Sequence, residues 1–67
     1  MDLVPVISSS IAAVGYNAGT SELTVQFSRG QRVYTYYGVP EKVYDDFLAA
    51  DSKGRYFVHN VKNVYEF

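Results

Sequence analysis

The sequence predicts an α+β fold, with a three-stranded antiparallel meander and two C-terminal helices packed on one face of the sheet. Two observations support this β-β-β-α-α order. β-Branched and aromatic residues are frequent in three short segments separated by turn residues. From Pro40 onward, apolar residues instead recur at the three- and four-residue spacing of amphipathic helices.

The three predicted strands follow one another through short turns. The first two strands are predicted at Ile11–Tyr16 and Leu23–Ser28, and Asn17–Thr20 between them has the composition of a turn. The third is predicted at Gln31–Tyr37, after a two-residue turn at Arg29-Gly30. Short turns between consecutive strands predict a meander.

These turns also predict a register. The turn at positions 29–30 pairs Val25 with Tyr34 and Leu23 with Tyr36, and a tight turn at 18–19 places Val14 opposite Leu23. Because side chains alternate along a strand, these five residues share one apolar face, which we expect the helices to cover. The opposite face is expected to carry Thr24, Gln26, Val33, Thr35 and Tyr37.

Two helices are predicted after the third strand. Gly38 ends the strand, and Pro40 starts the first helix because its fixed φ suits a helical first turn. That helix is expected to bury Val43, Tyr44, Phe47 and Leu48. Ser52 is a suitable N-cap for the second helix, and Gly54 in its first turn would let the two helices approach closely. The apolar stripe of the second helix comprises Tyr56, Phe57, Val61, Val64 and Tyr65.

Length and composition limit the classes of protein that fit. The 67 residues suffice for one domain, 1–67, with Met1–Pro5 as a loose lead-in. There is no cysteine, which excludes disulfides and thiolate metal sites. No apolar run is long enough to cross a bilayer, and Met1–Pro5 lacks the basic region of a signal peptide, so we expect a cytoplasmic protein without a membrane partner.

The residue inventory predicts that the protein is not an enzyme. It contains one histidine, and Ser8–Ser10 has no acid or base nearby in sequence to activate a hydroxyl. Asp45 and Asp46 are adjacent on a predicted helix, so their side chains diverge by about 100°. No spacing of metal ligands is present. We therefore expect no metal, no cofactor and no small-molecule substrate.

Four short motifs follow one another along most of the chain. They are Val6-x-Ser8-Ser9-x-Ile11-x-x-Val14-Gly15-Tyr16, Leu23-x-Val25-x-Phe27, Tyr34-x-Tyr36-x-Gly38-Val39-Pro40 and Ala50-x-Ser52-x-Gly54-x-Tyr56-Phe57. In this order they resemble the KTSC domain, a family named from the C-terminus of some lysyl-tRNA synthetases. The resemblance implies a small bacterial or phage domain and, through the synthetase context, an association with RNA. We assign structural roles to Tyr34, Tyr36, Gly38, Pro40, Ser52 and Gly54.

Seven residues are the candidate contacts for RNA or another partner: Arg29, Arg32, Tyr37, Lys53, Arg55, His59 and Lys62. Arg55, His59 and Lys62 share one side of the last predicted helix. If this stripe meets the arginines of the hairpin, the two form a basic surface with tyrosine edges that can bind phosphates. The competing interpretation is ordinary solvated surface, which the net charge of −1 favours.

The tyrosines allow two interpretations. Exposed strand aromatics can stack nucleic-acid bases, but the predicted register places Tyr34 and Tyr36 on the covered face, so we expect them in the core. Tyr37, on the opposite face, is the better exposed contact. The sequence thus favours a non-catalytic module for RNA or an RNA-associated protein. The alternative is a protein–protein or self-association module that uses the open sheet face, with Val33 and Tyr37, or its unpaired outer edge.

Overall fold

A four-stranded antiparallel sheet carries two helices in the computed structural model, which describes residues 3–67. The strands are β1 (Val4–Pro5), β2 (Ile11–Asn17), β3 (Glu22–Phe27) and β4 (Val33–Tyr36), and the helices are α1 (Glu41–Ala49) and α2 (Lys53–Asn60). The sheet order β1-β2-β3-β4 is that of a meander. The predicted α+β class is confirmed, with one strand more than expected.

The additional strand lies in the segment that was expected to be a loose lead-in. Val4 pairs with Val14 and Pro5 pairs with Ala13. Val4 is 51% exposed, so β1 is held in the sheet by its backbone pairing rather than by buried side chains. A strand without buried side chains shows no apolar alternation in the sequence from which it could be predicted. The expectation of a loose lead-in is therefore wrong for Val4 and Pro5, whereas Met1 and Asp2 lie outside the described residues.

The predicted register between β3 and β4 is confirmed. Leu23 pairs with Tyr36 and Val25 pairs with Tyr34. The connecting loop is wider than the expected two-residue turn, because the Phe27 N–H still donates to the Arg32 carbonyl at 2.8 Å and residues 28–31 form the loop. A wider loop with the same centre leaves the cross-strand pairs unchanged.

The predicted register between β2 and β3 is wrong by two residues. Val14 pairs with Val25 rather than Leu23, and Tyr16 takes the position opposite Leu23. The loop is longer than a tight turn, because the Asn17 side chain accepts the Gly19 N–H at 2.9 Å and organises a wider bend. A shift of two residues preserves the face on which each side chain lies, so Val14 is still fully buried.

The core lies between one face of the sheet and the helices. Its members are Ile11, Val14, Leu23, Val25, Tyr36, Val39, Phe47, Phe57 and Val61. Phe47 of α1 is fully buried and Tyr36 is 4% exposed, as expected. Leu48 is 37% exposed, contrary to expectation, because it lies about 100° around the helix from Phe47.

The connection from β4 to α1 is held by contacts with strand β2 and with the loop between β2 and β3. Gly38 has a φ of +70°, a conformation that costs a glycine little, and the chain reverses there. The fully buried Val39 donates its N–H to the Ser21 carbonyl at 2.9 Å, and its carbonyl accepts the Tyr16 hydroxyl. Pro40 follows with a φ of −64° and is the N-cap residue of α1. These contacts fix where the first helix begins.

Helix α2 begins where the sequence predicts and ends earlier than expected. The Ser52 side chain accepts the Arg55 N–H, so Ser52 is the N-cap. Gly54 faces the loop before β2 rather than α1, because a Cβ at this position would lie 2.5 Å from the Ser10 Oγ. The helix stops at Asn60, and Val64, expected on its apolar stripe, is 58% exposed.

The segment after α2 turns back to the sheet. Asn63 has a φ of +65°, a left-handed conformation that asparagine tolerates better than most residues. The Tyr37 N–H then donates to the Glu66 carbonyl at 2.8 Å, next to the end of β4. Part of the outer edge of the sheet, which the sequence left unpaired, is therefore covered by the chain itself.

Candidate nucleic-acid interface

A groove of about 650 Å³ opens between the β3–β4 hairpin and the segment after α2. It exists because this segment returns to β4 instead of continuing as helix. Aromatic and cationic side chains make up most of its lining, which consists of Phe27, Arg29, Gly30, Arg32, Tyr34, Tyr36, Phe57, Lys62, Asn63 and Phe67.

Five aromatic rings form the apolar part of the groove. Phe27 contacts Tyr34 at a centroid distance of 5.7 Å, and Tyr36 contacts Phe57 at 5.5 Å, both edge to face. Phe67 closes the cluster, with its centroid 5.4 Å from those of both Tyr34 and Tyr36. Edge-to-face packing is the favourable geometry for such pairs, so the five rings form one packed aromatic lining of the groove.

The rings differ in how much of their surface a ligand can reach. Tyr36 and Phe57 are 4% and 5% exposed, so they form the floor. Burial, and then the neighbouring Tyr34, raise the pKa of the Tyr36 hydroxyl, so Tyr36 is neutral at neutral pH. Phe67 is 73% exposed. Tyr34 is half-buried, so it belongs both to the packed cluster and to the accessible wall.

Three cationic side chains surround the aromatic rings. Arg29 and Arg32 come from the hairpin loop and its base, and Lys62 comes from the residues just after α2. All three are exposed. The Lys62 N–H donates to the Phe57 carbonyl at 2.8 Å, where the helix has already ended. The groove is therefore cationic although the chain as a whole carries a net charge of −1.

No acidic side chain neutralises these cations within residues 3–67. The ion pair found there joins Lys42 to Asp46 at 2.8 Å on α1. The groove lining contains no aspartate or glutamate. Unpaired guanidinium and ammonium groups beside aromatic rings suit a ligand that combines an anion with a flat ring.

The structure brings together three of the seven predicted contact residues. Arg29, Arg32 and Lys62 meet in the groove, so the two basic clusters converge in part. Arg55 and His59 line a separate concavity of about 340 Å³. The expectation that Lys62 shares their helical stripe is wrong, because α2 ends at Asn60.

The remaining two predicted contacts also lie outside the groove. Lys53 lines a third concavity of about 180 Å³, and its Nζ donates to the Ala50 carbonyl at 3.1 Å. Tyr37 is 53% exposed, as expected for the face opposite the helices. Sequence reasoning missed Phe27 and Phe67 as groove residues. The β3 alternation could have indicated Phe27, but no periodicity indicates that Phe67 folds back onto β4.

The described part of the chain was also compared with the requirements of a metal site and of a membrane-spanning helix. Residues 3–67 contain no group of three or more histidine, aspartate or glutamate side chains that could hold a metal ion. Within the same range, neither helix is long and apolar enough to span a membrane. The groove is the feature of this region that has ligand-binding character.

Comparison with known families gives a match over most of the chain. The model of the KTSC domain matches residues 7–65. A protein of Tsukamurella paurometabola is 48% identical over 52 residues, which cover 78% of this chain and 76% of the relative. An uncharacterised protein of Stutzerimonas stutzeri is 42% identical over 57 residues, covering 85% of this chain and 79% of that protein.

Two further similarities concern a larger protein and a solved structure. A lysine–tRNA ligase of Nostoc punctiforme is 37% identical over 59 residues, which cover 88% of this chain but 10% of the ligase. The crystal structure of a KTSC domain protein from Yersinia pestis superposes with a TM-score of 0.92 at 40% identity, covering 97% of this chain and 90% of that one. The fold described above is therefore also that of a solved relative.

Proposed function

Since this chain belongs to the KTSC domain family, we propose that it is a small non-catalytic module that binds single-stranded RNA in the groove. One observation carries the proposal: three exposed cations lie beside accessible aromatic rings in a groove whose lining has no aspartate or glutamate. The similarity to part of a lysine–tRNA ligase adds support, because such an enzyme acts on RNA. With RNA as the partner, we also propose a cytoplasmic location.

The two kinds of side chain have different tasks in this proposal. Arg29, Arg32 and Lys62 bind phosphates, and the arginines can do so with two parallel hydrogen bonds. Phe67 and Tyr34 stack a base, a contact worth about 1–3 kcal/mol per base. Stacking accepts every base, so the module has little sequence preference.

The decisive variant reverses two of the groove charges. In Arg29→Glu/Lys62→Glu, carboxylates replace two phosphate contacts, so we expect the affinity for an octaadenylate to fall at least about tenfold. For the unaltered protein, log K is expected to fall as log salt rises, with a slope of at least about 0.7 in magnitude, because each neutralised phosphate contributes about −0.7 on a single strand. Fluorescence anisotropy with a labelled octaadenylate measures both quantities.

A matched control separates local contacts from overall charge. Lys53→Glu/Arg55→Glu changes the net charge by the same amount but lies outside the groove. Both substitutions fall in the first turn of α2, where acidic residues are favourable, so we expect this gain to offset the lost hydrogen bond from Lys53 to Ala50. The proposal requires the control to bind at close to the unaltered affinity. Equal losses in both variants would mean that the groove is not the binding site.

The open face of the sheet supports a second candidate, a protein–protein or self-association module. Val33 and Tyr37 are 51% and 53% exposed on this face. An apolar and aromatic pair of this kind can anchor a partner surface. A self-associating protein would gain mass with concentration in sedimentation, and Val33→Asp would abolish that gain. A constant monomer mass, with no retained protein partner, would count against this candidate.

A further inference from the structure

We infer that the groove takes one nucleotide unit, a single aromatic base with its phosphate, rather than a long tract of RNA. The inference rests on the proposed function and specifies its ligand further, from RNA in general to a single nucleotide. That unit can be a free nucleoside monophosphate or one residue within an RNA, since the chemistry recognised is the same.

The size of the groove fits such a unit. Its volume of about 650 Å³ lies within the ~300–1,000 Å³ typical of pockets for compact organic ligands, a class that includes a mononucleotide. The whole domain measures 28 × 21 × 20 Å, and the groove lies beside the edge strand β4, between the hairpin loop and Tyr36. A binding surface for many successive bases would have to continue along the molecule.

The most accessible aromatic surface lies where Tyr34 and Phe67 meet, whereas the half-buried Phe27 ring is packed edge to face with both Tyr34 and Phe57. Tyr34 and Phe67 meet at an interplanar angle of 71°, with their centroids 5.4 Å apart. Two rings at this angle form a corner, so a base that stacks on one ring meets the edge of the other. The two floor rings, Tyr36 and Phe57, are almost fully buried and cannot accept a second stacked base.

The cations are also confined to this corner. Proteins that hold long single strands combine a continuous basic track with a series of stacking side chains. Here Arg55 and His59 line a separate concavity. Lys42 is paired with Asp46 on α1. Over residues 3–67, the phosphate-binding side chains next to accessible rings are therefore Arg29, Arg32 and Lys62.

Competition by small ligands tests the inference with the unaltered protein. A labelled octaadenylate is bound first, and adenosine monophosphate, adenosine and inorganic phosphate are then titrated separately. We expect adenosine monophosphate to displace the oligonucleotide completely. Adenosine and inorganic phosphate should each compete at least about tenfold more weakly, because each lacks one half of the recognised unit.

The outcomes distinguish this inference from the proposed function. If the octaadenylate binds and millimolar adenosine monophosphate does not displace it, the inference is overturned and RNA binding stands. If neither binds, both fail. If direct titration shows binding of adenosine monophosphate but not of the octaadenylate, the nucleotide site stands and the RNA function fails. Equal competition by adenosine, or by phosphate, also overturns the inference.

A pair of aromatic variants locates the nucleotide. Phe67→Ala removes one wall of the corner, and we expect it to weaken adenosine monophosphate binding about tenfold. The control is Tyr37→Ala, which removes an exposed aromatic ring from the opposite face of the sheet. It should leave the affinity unchanged. The reverse pattern would place the base on the open face and overturn the assignment.

Discussion

Tyr36 shows how one residue joins the core of this protein to its candidate site. It lies on the covered face through its pairing with Leu23, and its ring packs against Phe57 and Phe67. Sequence alternation was sufficient to predict that it is buried. The same position places Tyr36 on the floor of the groove. Strand alternation predicts that the residue is buried, but it does not predict that a groove lies above it.

The raised pKa of Tyr36 predicts a loss of stability in alkali. Burial disfavours the phenolate in the folded protein, so the pKa is higher folded than unfolded. Below the unfolded value of about 10 the stabilising contribution is complete, and it is lost as the pH rises through the folded pKa. We expect the free energy of unfolding, measured in urea, to fall above pH 10. The free energy of unfolding of the Tyr36→Phe variant should fall less steeply with pH. If it falls as steeply as that of the unaltered protein, the loss of stability does not come from Tyr36.

At the scale of elements, helix α2 packs closely against the loop before β2 at Gly54. A Cβ at Gly54 would lie 2.5 Å from the Ser10 Oγ but 3.7 Å from the Ser10 Cβ, which is an ordinary contact. The hydroxyl is therefore the group that excludes a larger residue. The sequence predicts a close approach at Gly54 but assigns it to the other helix, because spacing does not specify which neighbour a helical glycine meets.

This contact predicts an energetic coupling between the two positions. Gly54→Ala gains up to about 1 kcal/mol of helix propensity but crowds the Ser10 hydroxyl. The Ser10→Ala substitution removes this crowding. In that background, the effect of Gly54→Ala on the free energy of unfolding should therefore be more stabilising, by at least about 0.5 kcal/mol, than in the unaltered protein. Urea denaturation of both single variants and the double variant measures this difference. Strict additivity of the two changes would show that the contact is not made.

Other elements show what local patterns can and cannot predict. The β3–β4 register followed from a short hairpin with alternating side chains, and it is correct at Val25 and Tyr34. The β2–β3 register was wrong because the Asn17 side chain organises a wider loop. Strand β1 and the return of Glu66 to Tyr37 depend on backbone pairing, which leaves no apolar periodicity to detect.

At the scale of the whole molecule, the charge distribution matters more than the net charge. A net charge of −1 suggested ordinary surface for the basic residues, yet three of them converge on one aromatic groove. The sequence identified Arg29, Arg32 and Lys62 as candidates, but it could not group them, because their meeting depends on where α2 ends. Residues after that point also contribute Phe67, the most exposed ring of the groove with 73% of its surface accessible.

The most direct test of the groove as the RNA site is an amide NMR titration of the nitrogen-15-labelled domain with octaadenylate at low and moderate salt. We predict that the largest shifts fall on residues 27–36 and 57–67 and that they shrink as salt rises. Residues 41–49 of α1, which carry the paired Lys42 and Asp46, should change little. Shifts centred on α1 or on the open face of the sheet, or no shifts at low salt, would contradict the account.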